Sequence, residues 1–148
     1  MSTHSFVAKA ALIDLLQAQT GVGQLLQDVD VDYAYHGNVG ARAIYAGGLT
    51  FDQAPAVAER NTLMVETVTV GLYMRAVLRP ATDVEDTDLL CAAMGAAVGA
   101  VLKANPLLAG TLTWTGITGG QADYSRTDDE TISVLLYNVQ FGAYLAYG

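Results

Sequence analysis

A segment near the carboxyl end of the chain combines side chains that could perform nucleophilic chemistry. It reads GGQADYSRTDDET, residues 119–131, and places Ser125 three to five residues before Asp128, Asp129 and Glu130. A serine becomes a nucleophile when a neighbouring base takes its proton. This segment has no histidine or lysine to act as that base, so the sequence argues against a catalytic serine here.

Two other interpretations of the same segment stay open. It could be a plain hairpin connection, or it could contact a second subunit. Tyr124 and Arg126 favour the contact, because tyrosine and arginine are enriched at protein interfaces. Arg126 would be neutralised by Asp128, Asp129 and Glu130 or by the acids of a neighbour.

Alternating aspartates at Asp28, Asp30 and Asp32 imitate the first half of a calcium-binding loop. Such a loop needs glycine at its sixth position and glutamate at its twelfth. Tyr33 and Val39 stand there instead. We therefore expect no metal site, and we interpret the aspartates as the solvated side of a strand.

Other motifs also lack chemical partners. The glycine-rich segments GVGQLL and GITGGQ have no phosphate-loop lysine and no complete dinucleotide fingerprint, which predicts turns. His4 and His36 lie in a helix start and a loop, where surface positions are expected. Cys91 is the only cysteine, so no intrachain disulfide can form. We expect no enzyme activity and no cofactor.

Composition limits the remaining function classes. A chain of 148 residues fits a single domain, 1–148. Hydrophobic residues make up 52% and charged residues 15%, which favours burial of surface by partners. The net charge of −8, with seven Lys and Arg in total, argues against a phosphate-binding surface. The amino end lacks a convincing cleavage site, and the apolar run LLCAAMGAAVGAVL is shorter than the ~20 residues of a membrane helix, so no membrane association is expected.

Periodicity predicts two helices. The first covers residues 3–19, with Ser2 or Thr3 as its cap and a core face of Val7, Ala8, Ala11, Leu12, Leu15 and Leu16. Phe6, Ala10 and Ile13 form a second apolar side for a neighbour. The second helix begins at the acidic residues from Asp83 onward and ends at Asn105. Its bulky side should cover the sheet, and its smooth side should let a second backbone approach. The bulky side is Leu90, Met94, Val98, Val101 and Leu102, and the smooth side is Ala92, Gly95, Ala96 and Gly99.

Strands are predicted at 29–35, around 43–46, at 62–78, at 112–118 and at 130–147. The strand at 62–78 would span about 56 Å at ~3.3 Å per residue. A compact domain of this length is about 38 Å across, so the strand must bend or project as an arm. The order α-β-β-β-α-β-β predicts an α+β fold with a largely antiparallel sheet and both helices on one face.

Four stretches together resemble the tail terminator proteins of long-tailed bacteriophages, particularly those of actinobacterial hosts. They are YAYHGNVGARAIYAGG, AERNTLMVETVTVGLYMRAV, the helix end LKANP, and LTWTGITGGQADYSRTDDETISVLLYNVQFGAYL. The resemblance implies an α+β subunit of a hexameric ring in the virion neck. Such a ring caps the tail tube, stops its polymerisation and joins the head connector or head-closure protein, while genomic DNA crosses its lumen. It also implies assembly in the host cytoplasm.

The expected interface residues are assigned from residue type. They are Phe6, Ile13, His36, Arg42, Tyr124, Arg126, Asp128 and Asp129. Other neck proteins, for head closure or tail completion, remain open as alternatives, and a tail tube subunit is a weaker one. A small-molecule-binding domain with Tyr33, Tyr35, His36 and Arg42 around a pocket is the competing class.

Overall fold

A computed structural model describes residues 3–37, 40–55, 63–108 and 112–146. These residues form two helices and six strands. In chain order the elements are α1 (Ser5–Gln17), β1 (Asp30–Asp32), β2 (Arg42–Pro55), β3 (Leu63–Leu78), α2 (Val84–Ala104), β4 (Leu107–Leu108), β5 (Leu112–Arg126) and β6 (Thr131–Ala146).

The strands form one curled sheet in the order β1-β2-β3-β6-β5-β4. β1 is parallel to β2, and every other neighbouring pair is antiparallel. The central pair, β3 and β6, stays in register from Leu63 opposite Ala146 to Leu78 opposite Thr131. The predicted α+β fold with a largely antiparallel sheet is confirmed.

Alternation along β3 explains how the sheet divides into two faces. Val68, Val70, Leu72 and Met74 are fully buried, while the residues between them are half-buried. Both helices pack on the side that carries these four residues, as predicted. We call this side the helix face and the opposite side the far face.

Helix α2 fits the sheet through small and large residues together. Met94, Val98 and Leu102 are buried as predicted, but Gly95 is buried too, although the sequence assigns it to the smooth side. A Cβ at Gly95 would lie 2.5 Å from the Tyr137 hydroxyl. Gly95 therefore lets α2 approach β6 closely, which corrects the predicted division of the helix surface.

Helix α1 is shorter than the predicted 3–19, and it is rotated about its axis. Ala8, Leu12 and Leu16 are fully buried as predicted. Val7, expected in the core, is 49% exposed, whereas Ile13, expected to face a neighbour, is 2% exposed. The helix is apolar on several sides, so its contacts with β2 and β3 decide which side is inside.

Two predicted strands differ in length from those observed. The strand predicted at 29–35 ends at Asp32, and Tyr33 and Tyr35 lie outside it and are exposed. The short strand predicted at 43–46 is a 14-residue strand, β2. Its register shifts between Ala46 and Leu49, so Gly47 and Gly48 form a bulge within one strand rather than a connection.

Among the described residues, α2 alone has the length and hydropathy of a membrane-spanning helix. The helix is 21 residues long, so the length of its apolar run does not argue against a membrane, contrary to the prediction from the sequence. Its buried side packs on β3 and β6. Core helices of many proteins meet the same criterion of length and composition.

Candidate intersubunit surface

The segment 119–131 is mostly strand. Gly119–Arg126 continues β5, paired with β6 from Asn138 to Thr131, and only residues 127–130 form the turn. The Thr127 hydroxyl accepts hydrogen bonds from the backbone N–H groups of Asp129 and Glu130. The Thr127 N–H donates to the Glu130 carbonyl over 2.9 Å, which closes the turn. The interpretation as a loop is therefore corrected to a long hairpin.

The outer strand of this hairpin is exposed on both of its faces. Every residue of β5 from Ile117 to Arg126 is exposed, and Tyr124 is 68% exposed. The short strand β4 pairs only with Leu112 and Thr113. The Trp114 N–H donates to the Pro106 carbonyl. Beyond Trp114 no strand in the described part of the chain pairs with the outer side of β5, so residues 115–126 form a free sheet edge.

Contacts within the chain fix the base of the turn. Nε of Arg126 donates to the Thr82 carbonyl over 2.9 Å, so Arg126 anchors the hairpin to the connection between β3 and α2. Glu130, one of the three acids predicted to neutralise Arg126, forms an ion pair with Arg79 at 2.6 Å instead. Asp128 and Asp129 are exposed beside the turn.

The remaining predicted interface residues are scattered. Phe6 is 66% exposed on α1, which leaves its ring available to a partner. Ile13 is buried in the core of its own chain, so its assignment to an interface is wrong. His36 binds the Asp32 carboxylate at 2.9 Å. Arg42 donates to the Gln27 carbonyl over 3.1 Å.

The proposed ligand pocket around Tyr33, Tyr35, His36 and Arg42 divides into separate contacts. Nζ of Lys9 lies 4.2 Å from the Tyr33 ring centre. The Tyr35 ring packs against Tyr45, with ring centres 5.0 Å apart. These side chains secure the segment after β1 to α1 and to the far face, a role in packing.

A row of aromatic rings lies on the far face of the sheet. Tyr45 stacks on Tyr73 with ring centres 5.4 Å apart, next to Tyr35. Burial, the largest influence, raises the pKa of Tyr45, although the Arg75 guanidinium opposes it. Tyr45 therefore stays neutral, and the row supplies apolar surface rather than an acid or base.

Two depressions flank β6. One, of about 330 Å³, lies on the far face and is lined by Tyr73, Gln121, Asp123, Val134 and Leu136. It holds one carboxylate and no nucleophile with an adjacent base. The other, of about 230 Å³, borders Asp88, Cys91 and Ser133 between α2 and the sheet.

The second depression contains groups that are already bonded. The Ser133 hydroxyl donates to Asp88 over 2.6 Å and contacts the Thr87 hydroxyl. Burial raises the pKa of the Cys91 thiol to about 11, so it remains protonated near neutral pH. A protonated, buried thiol is a poor nucleophile.

Among the residues that the structure describes, no three His, Cys, Asp or Glu side chains lie close enough together to hold a metal ion. The aspartates around β1 have other partners. Asp30 accepts a hydrogen bond from the Gly40 N–H, and Asp32 binds His36. These hydrogen bonds hold the loop that follows β1 in place.

The sequence did not predict a second free edge, which lies on the outer side of β2. β1 pairs with β2 only at Ala43–Tyr45, and no described strand pairs with the outer side of β2 beyond Tyr45. The Gln53 side chain in this part of β2 is bonded to Glu66. Phe51 on this edge is 49% exposed. The signal was an apolar residue between polar ones, LTFDQ, but the glycines before it indicated a connection.

No protein-family model and no curated protein matches this chain. A solved structure does have the same fold, namely a chain in the "virion of native gene transfer agent (GTA) particle". The two chains superpose with a TM-score of 0.60 at 15% sequence identity. The match covers 96% of this chain and 100% of the other, so the fold is shared along nearly its whole length.

Proposed function

We propose that this chain is a structural virion protein, the tail terminator of a phage-like particle. Copies of it form a ring, with hexameric symmetry as the resemblance implies, that caps the tail tube and joins it to the head. The observation that carries the proposal is the shared fold with a chain of a gene transfer agent virion over the full length of that chain. The four sequence stretches that resemble tail terminators support the finer assignment.

The described surface agrees with an assembly role. Strand β5 is exposed on both faces from Ile117 to Arg126, and the outer edges of β2 and β5 are paired with a short strand at one end only in the described part of the chain. Such edges attract further strands unless they are covered. The polar clusters near Cys91 and β1 are bonded internally, so they supply no obvious reaction centre.

Charge supports passage of DNA through the proposed ring without specific binding. Each copy carries −8, so six copies carry −48 formal charges. Repulsion between this charge and the phosphate backbone disfavours adhesion. DNA would therefore slide through the lumen.

Tube growth tests the proposed function directly. Tail tube protein from the same gene cluster is allowed to polymerise, and this chain is added at increasing ratios. We expect elongation to stop and mean tube length to fall with the amount added. Heat-denatured chain is the control. Growth at an unchanged rate with the native chain would contradict a capping role and favour another neck position or the ligand-binding alternative.

A further inference from the structure

We propose that neighbouring copies join by sheet extension, with the free edge of β5 in one copy hydrogen-bonded to the free edge of β2 in the next. This inference deepens the proposed ring by naming its contact. The partner is a second copy of this chain, and the contact is head-to-tail, since two different edges meet.

Strand direction permits this pairing. β2 is antiparallel to β3, β3 is antiparallel to β6, and β6 is antiparallel to β5. β5 therefore runs opposite to β2. When two copies stand side by side in the same orientation, the β2 edge of one meets the β5 edge of the other as an antiparallel pair.

The short edge strands set the stagger between copies. Through their partners, residues 114–126 of β5 lie level with residues 68–78 of β3, and residues 46–55 of β2 with residues 64–72. β1 blocks one end of the β2 edge, and β4 blocks the opposite end of the β5 edge. A shift of about five residues, roughly 17 Å, brings the two free edges together and lets both short strands clear the neighbour.

The same shift is compatible with closure around an axis. Each copy adds four full strands, β2, β3, β6 and β5, which occupy roughly 19 Å at about 4.8 Å per strand. A rise of roughly 17 Å over that width tilts the strands by about 40°. Closed sheets tilt their strands by about 35–45°.

Side chains on the two edges are complementary. Phe51, Ile117 and Tyr124 are exposed, and their pairing partners Val68, Val139 and Ser133 place all three on the helix face. Sheet extension would bring them into one row and cover them. Natural free edges are protected by charged residues, lysine above all, and by proline and bulges. Residues 46–55 and 114–126 contain no lysine, and their charged residues are Asp52, Asp123 and Arg126.

Paired cysteines test the contact. Thr50 and Gln121 lie on the far face, three strand spacings and four residues of register apart within one chain, about 20 Å. A disulfide needs Cα atoms within about 7 Å, so this pair cannot close inside one copy. The double variants T50C/Q121C and T50C/D123C sample two neighbouring registers. After mild oxidation, at high concentration and also with tail tubes present, we expect at least one of them to form multimers beyond the dimer.

The controls separate the outcomes. Wild type, with its buried Cys91, and the single variants T50C and Q121C should stay uncrosslinked. Efficient dimers from Q121C alone would show β5 pairing with β5 and overturn the proposal, as would an absence of multimers from both double variants. If light scattering showed rings but no crosslinks formed, the pairing of β5 with β2 would be refuted and the proposed ring would stand. Crosslinked multimers that leave tube growth unchanged would support the pairing and refute the tail function.

Discussion

The carboxylate of Glu66 accepts a hydrogen bond of 2.6 Å from the backbone N–H of His4 at the start of α1. The Thr3 hydroxyl and the Gln53 amide donate to the same carboxylate, over 2.6 and 2.7 Å. Glu66 has no exposed surface. One buried charge thus ties α1 to both β2 and β3, and it lies at the positive end of the helix dipole.

Replacement of this carboxylate should make stability depend less on pH. Burial acts to raise the pKa of Glu66, but the hydrogen bonds from Thr3, Gln53 and His4 together lower it below 4.5. A lowered pKa in the folded state stabilises the protein above the unfolded value, and that contribution is lost as pH falls through the folded pKa. Glu66→Gln should lose about 1–3 kcal/mol of unfolding free energy at pH 7.

Urea denaturation between pH 7 and pH 3 measures this effect. The difference in free energy of unfolding between wild type and Glu66→Gln should stay constant down to about pH 5 and shrink at lower pH. Glu85→Gln, at an exposed acid in the first turn of α2, is the matched control and should change little. If the difference in free energy of unfolding were the same at pH 3 as at pH 7, the ionised Glu66 carboxylate would not be the source of the stabilisation.

Two glycines of α2 should respond oppositely to alanine. At Gly99 an added Cβ meets nothing within 4 Å, while at Gly95 it meets the Tyr137 hydroxyl at 2.5 Å and Leu135 at 3.1 Å. Alanine gains up to about 1 kcal/mol over glycine within a helix. We expect Gly99→Ala to raise the melting temperature. The free energy of unfolding of Gly95→Ala should be at least about 1 kcal/mol lower than that of Gly99→Ala. Equal stabilisation by both changes would mean that α2 does not approach β6 closely.

Cys91 should be unreactive in the folded chain. Its thiol is 4% exposed and has a pKa raised by burial to about 11. At pH 8 an aromatic disulfide reagent should leave it unmodified for at least an hour and modify it within minutes in guanidinium chloride. The surface thiol of Gln121→Cys is the positive control. Rapid modification of native wild type would show that α2 readily leaves the sheet.

Charge reversal at Arg126 should weaken assembly. Its Nε bond to Thr82 fixes the turn end of the hairpin, next to the free edge of β5. Arg126→Glu should reduce ring formation at least about tenfold in light scattering and leave the circular dichroism spectrum unchanged. Glu85→Lys, a reversal on α2, is the control. Rings that assemble as before would exclude the turn end from the contact.

Strong periodicity was enough to predict the central elements. β3 alternates through Val68, Val70, Leu72 and Met74, and its observed bounds differ from the predicted ones by one residue at the start. The fold class and the placement of both helices on one face followed from the order of such segments. Burial of one face and acids in the first turn of α2 act within these segments, so both are visible in the local sequence.

Features set by contacts distant in sequence were not predictable. β2 crosses Gly47 and Gly48 because β3 pairs with it on both sides of a bulge, and local composition indicated a turn. Ile13 rather than Val7 is buried because the sheet selects one of several apolar sides of α1. Glu66 and Thr3 are 63 residues apart, so no spacing rule joins them.

Electron microscopy of tube ends tests the central claim most directly. Tail tubes grown from the tube protein of the same gene cluster are incubated with this chain, imaged, and averaged at their ends. The proposed function predicts a closed ring of copies on one end of each tube, with a central channel wide enough for duplex DNA. Bare tube ends, with the chain left as monomers in solution, would contradict it.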